Sequence, residues 1–277
     1  MNTLRMAACL AACLLLGAPA WAADDRPDAD QSPIWQQTRG ALFDARPIEA
    51  GGEQLVLEAP PRAADAAVVP IAIRSQFGNA PGRELRRAWL IIDKNPAPVA
   101  AAFVFEPGSG VVDMETRVRV EEYTWMRAVV ELADGSLHMS TRFVKASGGC
   151  SAPAGKDPAQ AAANLGRMRL RVLGDGGGDG LTGAQLMISH PNESGMAMNQ
   201  VTRLYPRPHF VRSVKVSYRG KPLLRAEVNF SISENPNFRF HFRTPEGELR
   251  EGGDELAAEV VDTDALRFET RVALGAS

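Results

Sequence analysis

The sequence predicts an all-β chain of two sandwich domains joined by a cysteine-bearing linker with a short helix. Three observations carry that expectation. Apolar residues recur with a period of two in many short runs, the signature of strands half buried in a sheet. Pro and Gly clusters divide these runs at the spacing of turns rather than of long helices. Near the middle, the stretch from Lys145 to Pro158 breaks the strand pattern with glycines, a cysteine and a helix start. A chain of 277 residues suits two domains at roughly 100–200 residues each. The expected boundaries are a signal peptide over 1–22, a first β domain with an N-terminal helix over 23–146, a linker over 147–166 and a second β domain over 167–277.

The first segment carries one positive charge at Arg5, an apolar run from Met6 to Leu16, and Ala20-Trp21-Ala22 as a small-x-small cleavage site. That is the pattern of a secretory signal peptide cut after Ala22, too short and wrongly flanked for a membrane span. The competing reading, lipoprotein processing at Cys13 in Leu10-Ala11-Ala12-Cys13, is disfavoured because the apolar run continues through Leu14 to Leu16. Export to the periplasm is therefore expected, with no membrane segment beyond the signal.

After a polar stretch from Asp24 to Gln31, Ser32-Pro33 reads as an N-cap followed by Pro at the first helical position. Ile34, Trp35, Ala41 and Leu42 then share one face of a helix ending near Phe43, which is expected to cover the end of a sheet. From Gln54 the period becomes two: Leu55 and Leu57; Val69, Ile71 and Ile73; Trp89 to Ile92; Phe103 and Phe105; Val118 and Val120; Tyr123 to Leu132; an Asp134-Gly135 turn; then Leu137, Met139, Thr141 and Phe143. Many short strands of this kind point to a sandwich of immunoglobulin-like type, ending near Lys145.

Asp157-Pro158 opens a short alanine-rich helix to about Asn164. A second set of strands follows, from Met168 to Val172 through to Leu266 to Val272. Arg219-Gly220-Lys221 forms a hairpin turn, and Phe238, Phe240 and Phe242 alternate with Arg239, His241 and Arg243. The Gly- and Asp-rich run from Gly174 to Gly180 lacks the ligand pattern of a calcium loop and is read as a surface hairpin.

Charge excludes some partners. With 31 Lys and Arg against 33 Asp and Glu the net charge is −2 with mixed signs, which gives no basic stripe for nucleic acid. No Cys-x-x-Cys or His-x-x-x-His spacing appears, so no metal or cofactor is expected. Met196 and Met198 are read as packing residues in preference to a weak copper site. Glu121 and Glu122 are adjacent and so point to opposite faces of a strand, which rules out a carboxylate pair.

Cysteine use is the most informative feature. Cys9 and Cys13 leave with the signal, so Cys150 has no intramolecular partner in a compartment that favours disulfides. Its neighbours Gly148, Gly149, Ser151, Pro153 and Gly155 predict an exposed loop, with Gly148 and Gly149 as a flexible arm. Lys145, Lys156 and the following helix N-terminus are expected to lower the thiol pKa modestly, with Asp157 opposing them. A disulfide-linked homodimer through Cys150 is a second state open to such a thiol. A cysteine hydrolase would need a base, and none of His138, His190, His209 and His241 is near Cys150 in sequence.

Taken in order, the motifs resemble a known family. The first half shows Val68-Val69-Pro70-Ile71, Lys94-Asn95-Pro96-Ala97-Pro98, Thr116-Arg117-Val118-Arg119-Val120 and Gly148-Gly149-Cys150. The second shows His190-Pro191-Asn192-Glu193-Ser194-Gly195, His209-Phe210-Val211 and Ser233-Glu234-Asn235-Pro236-Asn237. These resemble SoxY and SoxZ, the sulfur carriers of periplasmic thiosulfate oxidation, fused in one chain, and most of all the class of quinoprotein dehydrogenase-associated SoxYZ-like carrier proteins. The resemblance implies a non-enzymatic carrier with a sulfur group held on Cys150 and presented to sulfur-oxidation or redox enzymes, including a quinoprotein dehydrogenase system. One departure stands out: the SoxY cysteine sits near a free C-terminus, whereas Cys150 is followed by Ser151-Ala152-Pro153 and a whole second domain. An arm from Lys145 to Cys150 spans at most about 17–20 Å, and the return path shortens its reach. The alternatives are an adaptor for a PQQ-dependent alcohol dehydrogenase system with Cys150 incidental, and an enzyme pairing Cys150 with a distant His.

Overall fold

The computed structural model describes residues 26–77, 82–109, 111, 113–153, 158–175, 181–199, 202–243 and 255–273. The expected signal peptide, Cys13, Lys156, Asp157 and most of the loop from 174 to 180 lie outside them. Helix α1 (Pro33–Phe43) precedes eight strands: β1 (Ile48–Ala50), β2 (Leu55–Glu58), β3 (Val69–Ser75), β4 (Leu85–Ile92), β5 (Val99–Phe105), β6 (Asp113–Val118), β7 (Thr124–Leu132) and β8 (Leu137–Val144). Helix α2 (Pro158–Ala163) is followed by β9 (Met168–Asp175), β10 (Leu181–Ile188), β11 (Val211–Tyr218), β12 (Lys221–Val228), β13 (Asn237–Arg243), β14 (Glu255–Asp262) and β15 (Arg267–Ala273). The expected all-β fold is present. No helix among the described residues is long and apolar enough to cross a membrane.

The strands form two sheets, ordered β1-β8-β7-β4-β5-β12-β11-β14-β15 and β2-β3-β6-β13-β10-β9. Each sheet runs through both halves of the chain. In the larger one β5 pairs antiparallel with β12, from Phe105 opposite Leu224 to Ala101 opposite Val228. In the smaller one β6 pairs with β13, with Glu115 opposite Arg239. The halves therefore share a single core between the sheets, containing Leu90, Phe103 and Val130 from the first and Val216, Phe240 and Phe242 from the second. The alternation read in the sequence produces this: Phe238, Phe240 and Phe242 are buried while Arg239 on the opposite face is exposed. Arg219 and Gly220 both have positive φ, 51° and 73°, as a two-residue hairpin turn between twisted strands requires.

Helix α1 starts where expected, with the Ser32 hydroxyl accepting the Trp35 N–H at 3.3 Å and Pro33 in the first turn. Its buried face differs from expectation. Ile34 and Ala41 are exposed, and the helix is anchored by Trp35 and Phe43, with Leu42 beside them. It covers a sheet face, not a sheet end: Trp89, Ile91, Val129 and Leu137 point away from the central core and meet these rings, Phe43 lying edge-on to Trp89 at 5.0 Å. Aromatic anchors win over the smaller residues because each buries more apolar area.

Candidate functional site

The chain leaving β8 does not swing free. Lys145 makes a parallel bridge with Arg62, donating its N–H to the Pro61 carbonyl, and Ala146 is buried. Gly148 N–H then donates to Glu121 O at 2.8 Å and Gly149 N–H to Val120 O at 2.9 Å. The two glycines serve different ends. Gly148 takes a left-handed φ of 80°, which only glycine adopts without penalty. Gly149 lets two backbones touch: a Cβ there would lie 2.0 Å from the Ala66 carbonyl oxygen. The expected flexible arm is thus a docked segment, because its glycines are used for close approach and its amides are hydrogen-bonded.

The turn at Gly149-Cys150-Ser151 is gripped from both halves of the chain. The Glu121 carboxylate accepts from Cys150 N–H at 2.8 Å, Ser151 N–H at 3.2 Å and the Ser151 hydroxyl at 2.9 Å. From the second half, the Ser194 hydroxyl donates to the Cys150 carbonyl and accepts the Met196 N–H at 3.1 Å. Glu121 and Glu122 do take different partners, Glu122 pairing with Lys94 at 3.3 Å, but both lie in the connection between β6 and β7 and not in the strand the sequence suggested. Cys150 itself is 1% exposed, so the exposed thiol expected from its loop-forming neighbours is not what the structure holds.

Burial pushes the Cys150 thiol up to about 12 from the ordinary 9.0, the Glu121 carboxylate adds to the rise, and the Arg119 guanidinium opposes it. This reverses the modest depression expected from Lys145 and Lys156. Lys156 is outside the described residues, and among the described residues the cation that opposes the rise is Arg119. Arg119 is itself buried. Its guanidinium donates to the carbonyls of Asn192 at 2.7 Å, Phe230 at 2.9 Å and Ile232 at 2.9 Å, while its backbone N–H donates to Ser231 O at 2.7 Å. Burial lowers the Arg119 pKa, with Cys150 the first of the groups that oppose the fall. A side chain from the first half thus terminates in a cage of carbonyls from the second, directly behind the cysteine turn.

The four imidazoles are engaged elsewhere. His138 meets Ser136 and Glu49, His241 meets Asp113, and His190 and His209 both face Asp262. The residues that matter around Cys150 and were missed in sequence are Arg119, Glu121 and Ser194. Arg119 and Ser194 do stand inside motifs that carry the family resemblance, but nothing in their spacing announced a buried charge or a contact with Cys150.

Comparison with known families follows the same division at the linker. The model described as "Sulfur oxidation protein SoxY" matches residues 39–150, and that described as "Sulphur oxidation protein SoxZ" matches residues 175–273. A SoxY-like region is thus followed by a SoxZ-like region in one polypeptide. No curated protein matches it significantly. Among solved structures, the sulfur carrier protein SoxY from Chlorobium limicola f thiosulfatophilum is similar at 23% identity, over 40% of this chain and 89% of that one, with a TM-score of 0.32. The SoxY-like match ends on Cys150, so the docked turn lies where that domain stops and the connection to the SoxZ-like half begins. Both gripping interactions and the Arg119 cage cross or border that junction.

Proposed function

We propose that this SoxYZ-like chain is a non-enzymatic carrier in sulfur-compound oxidation, which holds a small sulfur-containing group covalently on Cys150 and presents it to partner enzymes in the periplasm. The observation that carries this is the presence of both family domains in order, the first ending on Cys150. The separate engagement of all four imidazoles supports a carrier over a cysteine enzyme, since no base is paired with the thiol. Joining the Cys150 sulfur to a reduced sulfur anion releases the thiol proton and two electrons, so loading requires an oxidising partner. That partner must also open the turn, because the docked thiol is buried and protonated at neutral pH.

The test is intact-protein mass spectrometry on chain isolated from its native cells, before and after reduction, with Cys150→Ser as control. Reducible additions of sulfur or sulfonate mass that vanish in the variant support the carrier, and the observed N-terminus checks export, with Ala23 expected first. A second reading is favoured by the buried thiol: an adaptor for a periplasmic quinoprotein dehydrogenase system in which Cys150 is a packing residue. An unmodified thiol under every growth condition, together with partner capture unchanged in Cys150→Ser, selects the adaptor. A disulfide-linked homodimer needs the same opening of the turn, and non-reducing electrophoresis detects it.

A further inference from the structure

The ends of three strands in the SoxZ-like half bring together His190, just after β10, His209, just before β11, and Asp262, the last residue of β14. Both imidazole Nε2 atoms face the same carboxylate oxygen, Asp262 Oδ2, His209 at 2.9 Å and His190 at 3.5 Å. Asp264 Oδ2 approaches His209 Nε2 at 3.7 Å from the rim. We propose that His190, His209 and Asp262, whose ligand atoms lie within 4.8 Å of one another, form a binding site for a divalent transition metal of the zinc type, with Asp264 at its rim.

Four observations support this. The first is size. Tetrahedral zinc with bonds of about 2.0–2.1 Å sets its ligand atoms about 3.3 Å apart, and the two separations from Asp262 Oδ2 to the imidazoles, 2.9 and 3.5 Å, bracket that value. The second is donor type: two imidazoles with a carboxylate oxygen suit zinc better than magnesium or calcium, and the rim carboxylate of Asp264, itself paired with Arg207 at 2.6 Å, lies beside them. The third is an unmet need, since His190 Nε2 is buried with no hydrogen-bond partner and such groups are uncommon in native interiors. The fourth is access and support. His190 and Asp262 are fully buried, whereas His209 and Asp264 retain 19% and 29% side-chain exposure and open the site to solvent. Asp262 Oδ1 accepts the Asp264 and Leu266 N–H groups, which fixes the direction of Oδ2.

Metal binding has a specific effect on the protons. Asn192 N–H donates to His190 Nδ1 at 3.0 Å, so the neutral ring of the metal-free protein carries its proton at Nε2. At His209 it is again Nε2 that faces the Asp262 carboxylate, at 2.9 Å. Zinc held there would need the Nε2 lone pair of each ring, so each ring would carry its proton at Nδ1, and the His190 Nδ1–H would meet the Asn192 N–H as a second donor and displace it. His190 then stops accepting from Asn192. Asn192 is the residue whose carbonyl receives Arg119, and Ser194 two positions on holds the Cys150 carbonyl, so the metal site and the cysteine turn share one short segment.

The experiment uses the full chain stripped with chelator, titrated calorimetrically with zinc and spectroscopically with cobalt(II). The expected results are one metal per chain, visible absorption bands of tetrahedral cobalt, and a shift of the Asn192 amide resonance on zinc addition. His209→Ala should weaken binding by at least about 100-fold, beyond the 10–100-fold typical for lost supporting contacts. Asp264→Asn, at the rim, should weaken it less and leave the fold intact, and Cys150→Ser should bind as the parent does. Failure of the parent to bind zinc overturns the proposal. So does binding that survives His209→Ala or is lost in Cys150→Ser, since the metal would then be held elsewhere. Were His209→Ala to misfold, the Asp264→Asn affinity and the Asn192 shift still decide: no change in either overturns the site.

Discussion

Substituting Gly149→Ala should release the cysteine turn and expose its thiol. A Cβ at that position would sit 2.0 Å from Ala66 O, 2.6 Å from Ala66 C and 2.8 Å from Val120 N. All three are backbone atoms in paired segments, so the turn, not its neighbours, must move. In the parent the thiol stands at about 12 against an ordinary 9.0, which at about pH 7.5 lowers the thiolate fraction about 1000-fold. The more basic thiolate is a better nucleophile and recovers about 15–30-fold of this, given a Brønsted slope of 0.4–0.5. The undocked variant should therefore exchange with a small disulfide such as dithiodipyridine at least about 30-fold faster than the parent. Relief of steric burial would add to that. Pyridothione release is followed by absorbance, with Cys150→Ser as blank and guanidinium-unfolded protein as the rate of a free thiol. A folded variant that reacts no faster than the parent would refute the argument, as would a parent reacting at the unfolded rate.

Three further outcomes are expected. Because the folded thiol pKa lies above the unfolded one, the stability linked to Cys150 is intact below pH 9.0 and is lost as pH rises toward 12. The loss is about 1.4 kcal/mol per pH unit in that window, read as the urea-unfolding difference between parent and Cys150→Ser. Glu121→Gln keeps an acceptor but removes a charge, so it should lower the thiol pKa, speed disulfide exchange and cost about 1–3 kcal/mol in urea unfolding, whereas an unchanged exchange rate would exclude Glu121 as a brake. Arg119→Met leaves the carbonyls of Asn192, Phe230 and Ile232 without their donor and should cost about 3–5 kcal/mol, checked by the same unfolding experiment.

Much of the fold was legible because it is written locally. Ser32-Pro33 is a cap and a first turn within two residues, Arg219-Gly220 is a hairpin within two, and the Phe238, Phe240, Phe242 alternation needs only five positions to declare a buried face. The continuity of both sheets across the halves was not legible, because pairing of β5 with β12 joins residues more than a hundred apart and leaves no mark on either strand alone. The site divided in the same way. Cys150 could be singled out by counting cysteines, and its glycines by composition. Composition cannot tell whether a glycine is there for freedom or for contact; that depends on Ala66 and Val120, which approach Gly149 only in the folded chain. Glu121, Arg119 and Ser194 act on Cys150 from 29, 31 and 44 positions away, the last from the other half. His190, His209 and Asp262 likewise lack any common spacing.

The strand pairings that run through the junction also govern how the protein meets dilution. Cut apart, the halves would each carry two raw strand edges, those of β5 and β6 on one and of β12 and β13 on the other, and such edges template unwanted association. Two separate subunits would cover those edges only while both were abundant enough to stay bound. A single polypeptide turns that encounter into an internal event at an effective concentration of about millimolar order, set by the connecting segment and not by expression level. Equal dosage of the two halves is built in, and their union survives at any dilution of the protein.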